Sequence, residues 1–96
     1  MGSMISTDEP LPGGVLIDVR SQDEWNSGHI NGAIHIPVDR IEHKISQHVP
    51  NKSNPINLYC LSGSRASSAK SILVRLGYER VANLGGMNNA RKLLQK

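Results

Sequence analysis

The chain contains one cysteine, and its setting gives it chemical interest. Leu58-Tyr59-Cys60 closes a short apolar run, Leu61-Ser62-Gly63-Ser64 has the make-up of a tight turn, and Arg65-Ala66-Ser67-Ser68 opens a segment with helical spacing. A strand, a turn and a helix start in this order make an anion cradle. Gly63 permits a backbone conformation closed to other residues, so successive N–H groups can point inward, and the helix N-terminus adds partial positive charge. Arg65 adds a full charge. Donors aimed at a sulfur favour its thiolate, the form that attacks, so a nucleophilic Cys60 needs no separate general base. The bland reading, a buried core thiol above an ordinary turn, suits most lone cysteines. A cysteine ending a strand, four residues, and an arginine opening a helix together favour active-site chemistry over it.

The elements that must position this loop alternate. Val15-Leu16-Ile17-Asp18-Val19 reads as a strand buried on both faces, after a start punctuated by Pro10, Pro12, Gly13 and Gly14. Ser21 and Glu24 form a capping box for a short helix through Trp25, which Gly28 ends. Asn31-Gly32 supplies a turn, and Ala33-Ile34-His35-Ile36 a second strand stopped by Pro37. From Val38 to Gln47, Val38, Ile41 and Ile45 share one helical face. Pro50 to Pro55 is a loop, and Ile56 to Tyr59 the strand that delivers Cys60. Ala66, Ala69, Ile72, Leu73 and Leu76 predict a helix closed by Gly77. A last strand, Val81-Ala82-Asn83, is followed by a Gly85-Gly86 turn into a helix from Met87 to Leu94. Strands and helices in alternation imply an open, mostly parallel α/β sheet with helices on both faces, whose ligands bind beyond the carboxyl ends of the strands. Cys60 stands at one such end and Asp18 near another.

Ninety-six residues suit one domain. Phe is absent, so aliphatic side chains build the core with help from Trp25, Tyr59 and Tyr78. No apolar run is long enough to cross a bilayer, and no membrane partner is expected. The net charge of +3 comes from scattered Lys and Arg without blocks or interleaved aromatics, which argues against nucleic acid. One cysteine excludes an internal disulfide. Met1-Gly2-Ser3 before a second Met4 reads as an expression-vector remnant with no signal peptide after it, so a cytoplasmic protein is expected. A periplasmic location is the alternative if a signal peptide has been removed.

Cys60, Ser62, Gly63 and Arg65 reproduce the Cys-x-Ser-Gly-x-Arg pattern, and this loop resembles the active-site loop of rhodanese domains. Ile17-Asp18-Val19-Arg20, Glu24-Trp25 and Gly28-His29-Ile30-x-Gly32-Ala33-x-x-Ile36-Pro37 resemble the family's opening motif, and Leu76-Gly77-Tyr78 with Leu84-Gly85-Gly86-Met87 its close. The likeness runs from Val15 to Met87, and the short length most resembles bacterial single-domain members of the phage shock protein E type. Residues 1–14 are accordingly read as the remnant and an N-terminal extension, and 15–96 as the domain. The resemblance implies a sulfurtransferase in which Cys60 attacks a small anionic sulfur donor such as thiosulfate, keeps the sulfur as a persulfide, and yields it to cyanide or a thiol acceptor. It further implies that the backbone of Leu61, Ser62, Gly63, Ser64 and Arg65 holds the persulfide, with Arg65 orienting the loop and balancing charge. A protein persulfide as donor or acceptor fits the same scheme, and neither a metal nor an organic cofactor is implied. Two departures stand out. The family often carries a further basic residue in the loop, where Leu61 and Ser64 are neutral, so thiosulfate is expected to be a poor donor. It also often has Trp where this chain has Ala90, a change expected to affect packing rather than chemistry.

A cysteine-dependent phosphatase or arsenate reductase is the nearest rival, but such loops have one residue more between cysteine and arginine than the four from Leu61 to Ser64. Their usual histidine before the cysteine is here Tyr59, and no aspartic general acid is evident. A non-catalytic rhodanese module that binds a partner is the third reading, which an intact Cys60 disfavours. Asp18 lies where it can influence Cys60 or a donor, although structural hydrogen bonding is the stronger expectation. Arg20 and Glu24 are expected to form an ion pair fixing the first loop. His29, His35, His43 and His48 match no standard metal-ligand spacing.

Overall fold

The computed structural model describes residues 7–95; the remnant reading of Met1-Gly2-Ser3 lies outside them. Four strands, β1 (Val15–Asp18), β2 (Ile34–His35), β3 (Ile56–Cys60) and β4 (Val81–Gly86), pair in parallel in the order β2-β1-β3-β4. Between and after them come α1 (Gln22–Asn26), α2 (Ile41–His48), α3 (Ser64–Arg75) and α4 (Met87–Leu94). The sheet is all-parallel rather than mostly so, as buried strands joined by helical crossovers require.

Period-two alternation sorts the side chains between two cores. Ile17, Val19, Ile56, Leu58, Cys60 and Val81 face Ile41 and Ile45 of α2 and Ala66, Ala69 and Leu73 of α3. On the other face Tyr59, Ala82 and Leu84 meet Ala90, with Met87 and Leu93 of α4 half-buried around them. Ala90 is fully buried against these residues, so a side chain the size of Trp there would need a different packing of α4. The segment before β1 is laid on the sheet: the buried Asn57 amide accepts from the Leu11 N–H at 2.9 Å and donates to its carbonyl at 3.1 Å, and Lys70 pairs with Asp8 at 2.7 Å.

Three elements depart from the sequence reading. The helix expected over Val38–Gln47 is a 3₁₀ turn, Val38–Arg40, followed by α2, because the extended Pro37 leads into a tight turn in which the Arg40 N–H reaches the Pro37 carbonyl at 2.9 Å. The second strand is only Ile34–His35. β4 runs through both glycines to Gly86, which pairs with Cys60 across a register irregularity, instead of turning at Gly85.

The chain leaves β1 toward β2 on one side of the sheet and places β3 on the other. The carboxyl ends of β1 and β3 therefore flank a topological switch point, where open α/β sheets bind their ligands.

Candidate active site

Cys60 is the last residue of β3, fully buried on the α3 side. The chain then turns through Leu61 and Ser62 to Gly63, whose φ of 101° lies in the region that favours glycine. That conformation points the Gly63 N–H back at the sulfur, donating to Cys60 Sγ at 2.8 Å, and the Ala66 N–H in the first turn of α3 approaches at 3.4 Å. Two backbone donors and the N-terminus of a twelve-residue helix therefore converge on one sulfur. Of the loop Leu61–Arg65, Gly63 is the donor to Sγ among the described bonds; Leu61 and Ser62 are exposed, and the second donor, Ala66, lies one residue past the loop. Ala66 is missed by sequence reasoning because a backbone N–H leaves no mark in residue type.

Arg65 does not reach toward the sulfur. Its guanidinium grips Glu24 of α1 through both carboxylate oxygens, at 2.6 and 2.9 Å. The same Glu24 closes the capping box, where its Oε1 accepts from the Ser21 N–H at 3.0 Å and its own N–H donates to Ser21 Oγ at 3.3 Å. One carboxylate thus caps the start of α1 and fastens it to the start of α3, across the switch point. The Arg65 hydrogen bonds hold the Glu24 carboxyl down to about 2, against an ordinary 4.5, and the carboxylate in turn raises Arg65 above its usual range.

The expected Arg20–Glu24 ion pair is not formed. Arg20 donates instead to Asp18, with NH2 at 2.7 Å and Nε at 3.0 Å from both oxygens, while the Arg20 backbone N–H meets Oδ1 at 2.9 Å. Residues two apart at a strand end share a face, and the capping box already directs Glu24 elsewhere, so the nearer carboxylate takes the guanidinium. Asp18 is fully buried at the end of β1, where its carboxylate accepts from Arg20 and, alongside burial as the larger cause, helps to raise the Tyr59 hydroxyl. Arg20 continues to the Gly28 carbonyl at 2.6 Å and lies over the Tyr59 ring at 5.7 Å. Burial pushes the Tyr59 hydroxyl up to about 12; its oxygen accepts from the Ile30 N–H at 3.0 Å.

Two residues that sequence reasoning left out hold the loop from beneath. Buried Asn83 on β4 donates to the Gly63 carbonyl at 3.3 Å and accepts from the Gly85 N–H at 2.8 Å. Gly86 carries no side chain because there is no room for one: a Cβ there would overlap the Leu61 carbonyl and lie 3.2 Å from its carbon. The signal for Gly86 was present as a paired glycine, but glycine also suits a turn, and its use for close approach emerges only with the sheet register.

Beside the loop opens a cleft of about 360 Å³, with Leu61, Met87, Arg20, Asp23 and Glu24 among its walls. The histidines take other roles. His29 stacks on Trp25 with ring centroids 3.4 Å apart, His35 stacks on it at 4.8 Å and donates to the Arg20 carbonyl at 2.8 Å, and His43 and His48 are exposed. Among the described residues no group of three or more His, Cys, Asp and Glu side chains could hold a metal ion.

A family model for the rhodanese-like domain matches residues 3–92. The chain belongs to the rhodanese-like family. Rhodanese relatives include the thiosulfate sulfurtransferase PspE of Escherichia coli K12, 37% identical over 73 residues, covering 76% of this chain and 70% of that one. A sulfurtransferase of Allochromatium vinosum is 36% identical over 72 residues, covering 75% and 65%. Among solved structures, a rhodanese with anions from E. coli superposes with a TM-score of 0.77 at 36% identity, covering 79% of this chain and 89% of that one. Fold and sequence thus agree on the family.

Proposed function

We propose that the protein is a rhodanese-type sulfurtransferase in which Cys60 carries the transferred sulfur as a persulfide. The observation that supports this most is the pair of backbone donors, Gly63 and Ala66, aimed at Sγ where β3 gives way to α3. They stabilise negative charge on the sulfur without a neighbouring base. The names of its relatives, thiosulfate sulfurtransferase and sulfurtransferase, support the same reading.

In the first half-reaction the Cys60 thiolate attacks the outer sulfur of a donor, with thiosulfate as the simplest case. The bond from Sγ to that sulfur forms as the donor's sulfur–sulfur bond breaks, and sulfite leaves with the electron pair. In the second, an acceptor thiolate or cyanide attacks the outer sulfur of the persulfide, the bond to Sγ breaks, and the Cys60 thiolate returns. Cys60 has no exposed surface, so a donor reaches Sγ only with some local movement of the residues around it. Arg65 acts through Glu24 as a positioning residue, holding the first turn of α3 and hence the Ala66 N–H.

The test is steady-state sulfur transfer to cyanide and to a dithiol by wild type and Cys60→Ser, with far-ultraviolet circular dichroism to confirm the fold. Transfer by the variant should fall to background. A folded Cys60→Ser that transfers sulfur at the wild-type rate refutes the proposal.

A further inference from the structure

β4 is an edge strand of the sheet, and an edge leaves backbone donors and acceptors in need of partners. At Asn83 both are taken by Asp8, from the segment before β1. The Asp8 N–H donates to the Asn83 carbonyl at 2.8 Å, and the Asn83 N–H donates to Asp8 Oδ2 at 2.9 Å. The same Oδ2 accepts from Lys70 Nζ of α3 at 2.7 Å. One carboxylate oxygen therefore joins β4 to α3. Thr7, next in the chain, occupies the space over Gly85, where a Cβ would come within 2.8 Å of the threonine methyl.

These are the two elements that aim donors at the sulfur. The Asn83 side chain donates to the Gly63 carbonyl at 3.3 Å, and the Gly63 N–H donates to Sγ at 2.8 Å. Lys70 stands one turn beyond Ala66 on the same side of α3, and the Ala66 N–H approaches Sγ at 3.4 Å. We propose that Asp8 is a positioning residue for sulfur transfer, an inference that rests on the transfer reading above. It acts through Asn83 and Lys70 to hold the Gly63 and Ala66 N–H groups on Cys60, which makes the segment before β1 part of the working site. Glu24 ties α3 to α1 through Arg65, and Asp8 ties α3 to β4 through Lys70. Asp8 and Lys70 are 39% and 37% exposed, and an ion pair so placed contributes little by itself, so the bonds to the Asn83 backbone are what fix the carboxylate.

The test pairs amide hydrogen exchange, read by NMR, with single-turnover loading of Cys60 by thiosulfate or a small alkyl persulfide, on the full chain as wild type, Asp8→Ala, Asp8→Asn and Lys70→Met. Asp8→Ala should speed exchange at Gly63 and Ala66 about fivefold and leave the amides of β1 at their wild-type rates. Its loading rate at saturating donor should fall about tenfold, part of the hundredfold that a displacement of about 1 Å costs, with the half-saturating concentration unchanged. Asp8→Asn should stay within about twofold of wild type in both readouts, because the amide oxygen still accepts from the Asn83 N–H. Lys70→Met keeps the aliphatic stem and should speed exchange at Ala66 more than at Gly63. Three results overturn the inference and leave the transfer reading intact: unchanged exchange at Gly63 and Ala66 in Asp8→Ala, a rise there no greater than in β1, or loading by Asp8→Ala at the wild-type rate. Wild type that takes up sulfur from neither donor overturns the transfer reading instead, while the exchange rates still show whether Asp8 holds the two N–H groups.

Discussion

Replacing Gly86 by Ala tests whether the end of β4 sets the geometry of the sulfur-binding loop. The backbone of Gly86 has φ −75°, open to any residue, so a methyl group there meets no torsional objection. It meets the Leu61 carbonyl, whose carbon would lie 3.2 Å from the new Cβ, with Ser62 Cα at 3.5 Å. Both neighbours are backbone, and relieving the overlap requires about 1 Å of movement in the loop, a displacement that costs on the order of a hundredfold when it reaches reacting groups. Overpacking of this kind costs about 2 kcal/mol, or about 10 °C in melting temperature for a domain of this size. Gly77→Ala provides the contrast. Gly77 has φ 101° but nothing within 4 Å of an added Cβ, so strain alone should cost about 1–2 kcal/mol. Thermal melts and the rate of sulfur loading onto Cys60, measured on both variants, separate the two effects. Gly86→Ala should lose stability and slow loading about 10- to 100-fold, whereas Gly77→Ala should lose stability and load at the wild-type rate. Wild-type loading by a folded Gly86→Ala protein would refute the argument that this contact positions the loop.

Asp18→Asn leaves the buried Arg20 without its counter-charge and should destabilise the fold by about 3 kcal/mol, read from urea unfolding. Glu24→Gln keeps a side chain able to serve the capping box and removes only the charge facing Arg65, so at neutral pH it should cost about 1 kcal/mol. Because the Glu24 carboxyl is depressed in the folded state, its stabilising contribution is complete above the ordinary 4.5 and is lost as pH falls toward about 2. Urea midpoints for wild type and Glu24→Gln should therefore converge over that window; a constant gap would contradict the assigned cause. Asn83→Ala removes the donor to the Gly63 carbonyl and the acceptor for the Gly85 N–H, and should cost about 1–2 kcal/mol and slow loading, as unfolding and mass-spectrometric time courses would register.

The loop was legible because its signals are local. An apolar run ending in Cys60, a glycine at the position that needs positive φ, and alanines at helical spacing each report on a few adjacent residues, and together they place the sulfur at a strand end above a helix N-terminus. The capping box at Ser21 and Glu24 was equally local and is present. What escaped depends on residues distant in the chain. Arg65 and Glu24 stand 41 positions apart and meet because the strand order places β1 beside β3, while Arg20 turns to Asp18 because the two share a face two residues apart. Asn57 and Asn83 read as interruptions in apolar strands, yet both are buried and satisfied by backbone partners that become visible only with the fold. Gly85 and Gly86 resemble a turn in sequence because nothing in their type distinguishes a bend from a strand that must let another backbone pass close by.

The central claim is that Cys60 becomes a persulfide. Its most direct test is the intact mass of wild type and Cys60→Ser after exposure to an alkyl persulfide or thiosulfate, then after a reducing thiol, with peptide mapping of the adduct. The account predicts that wild type alone gains one sulfur atom's mass, that the added sulfur maps to Cys60, and that the thiol removes it. An equal gain on Cys60→Ser, or none on wild type with either donor, would contradict it.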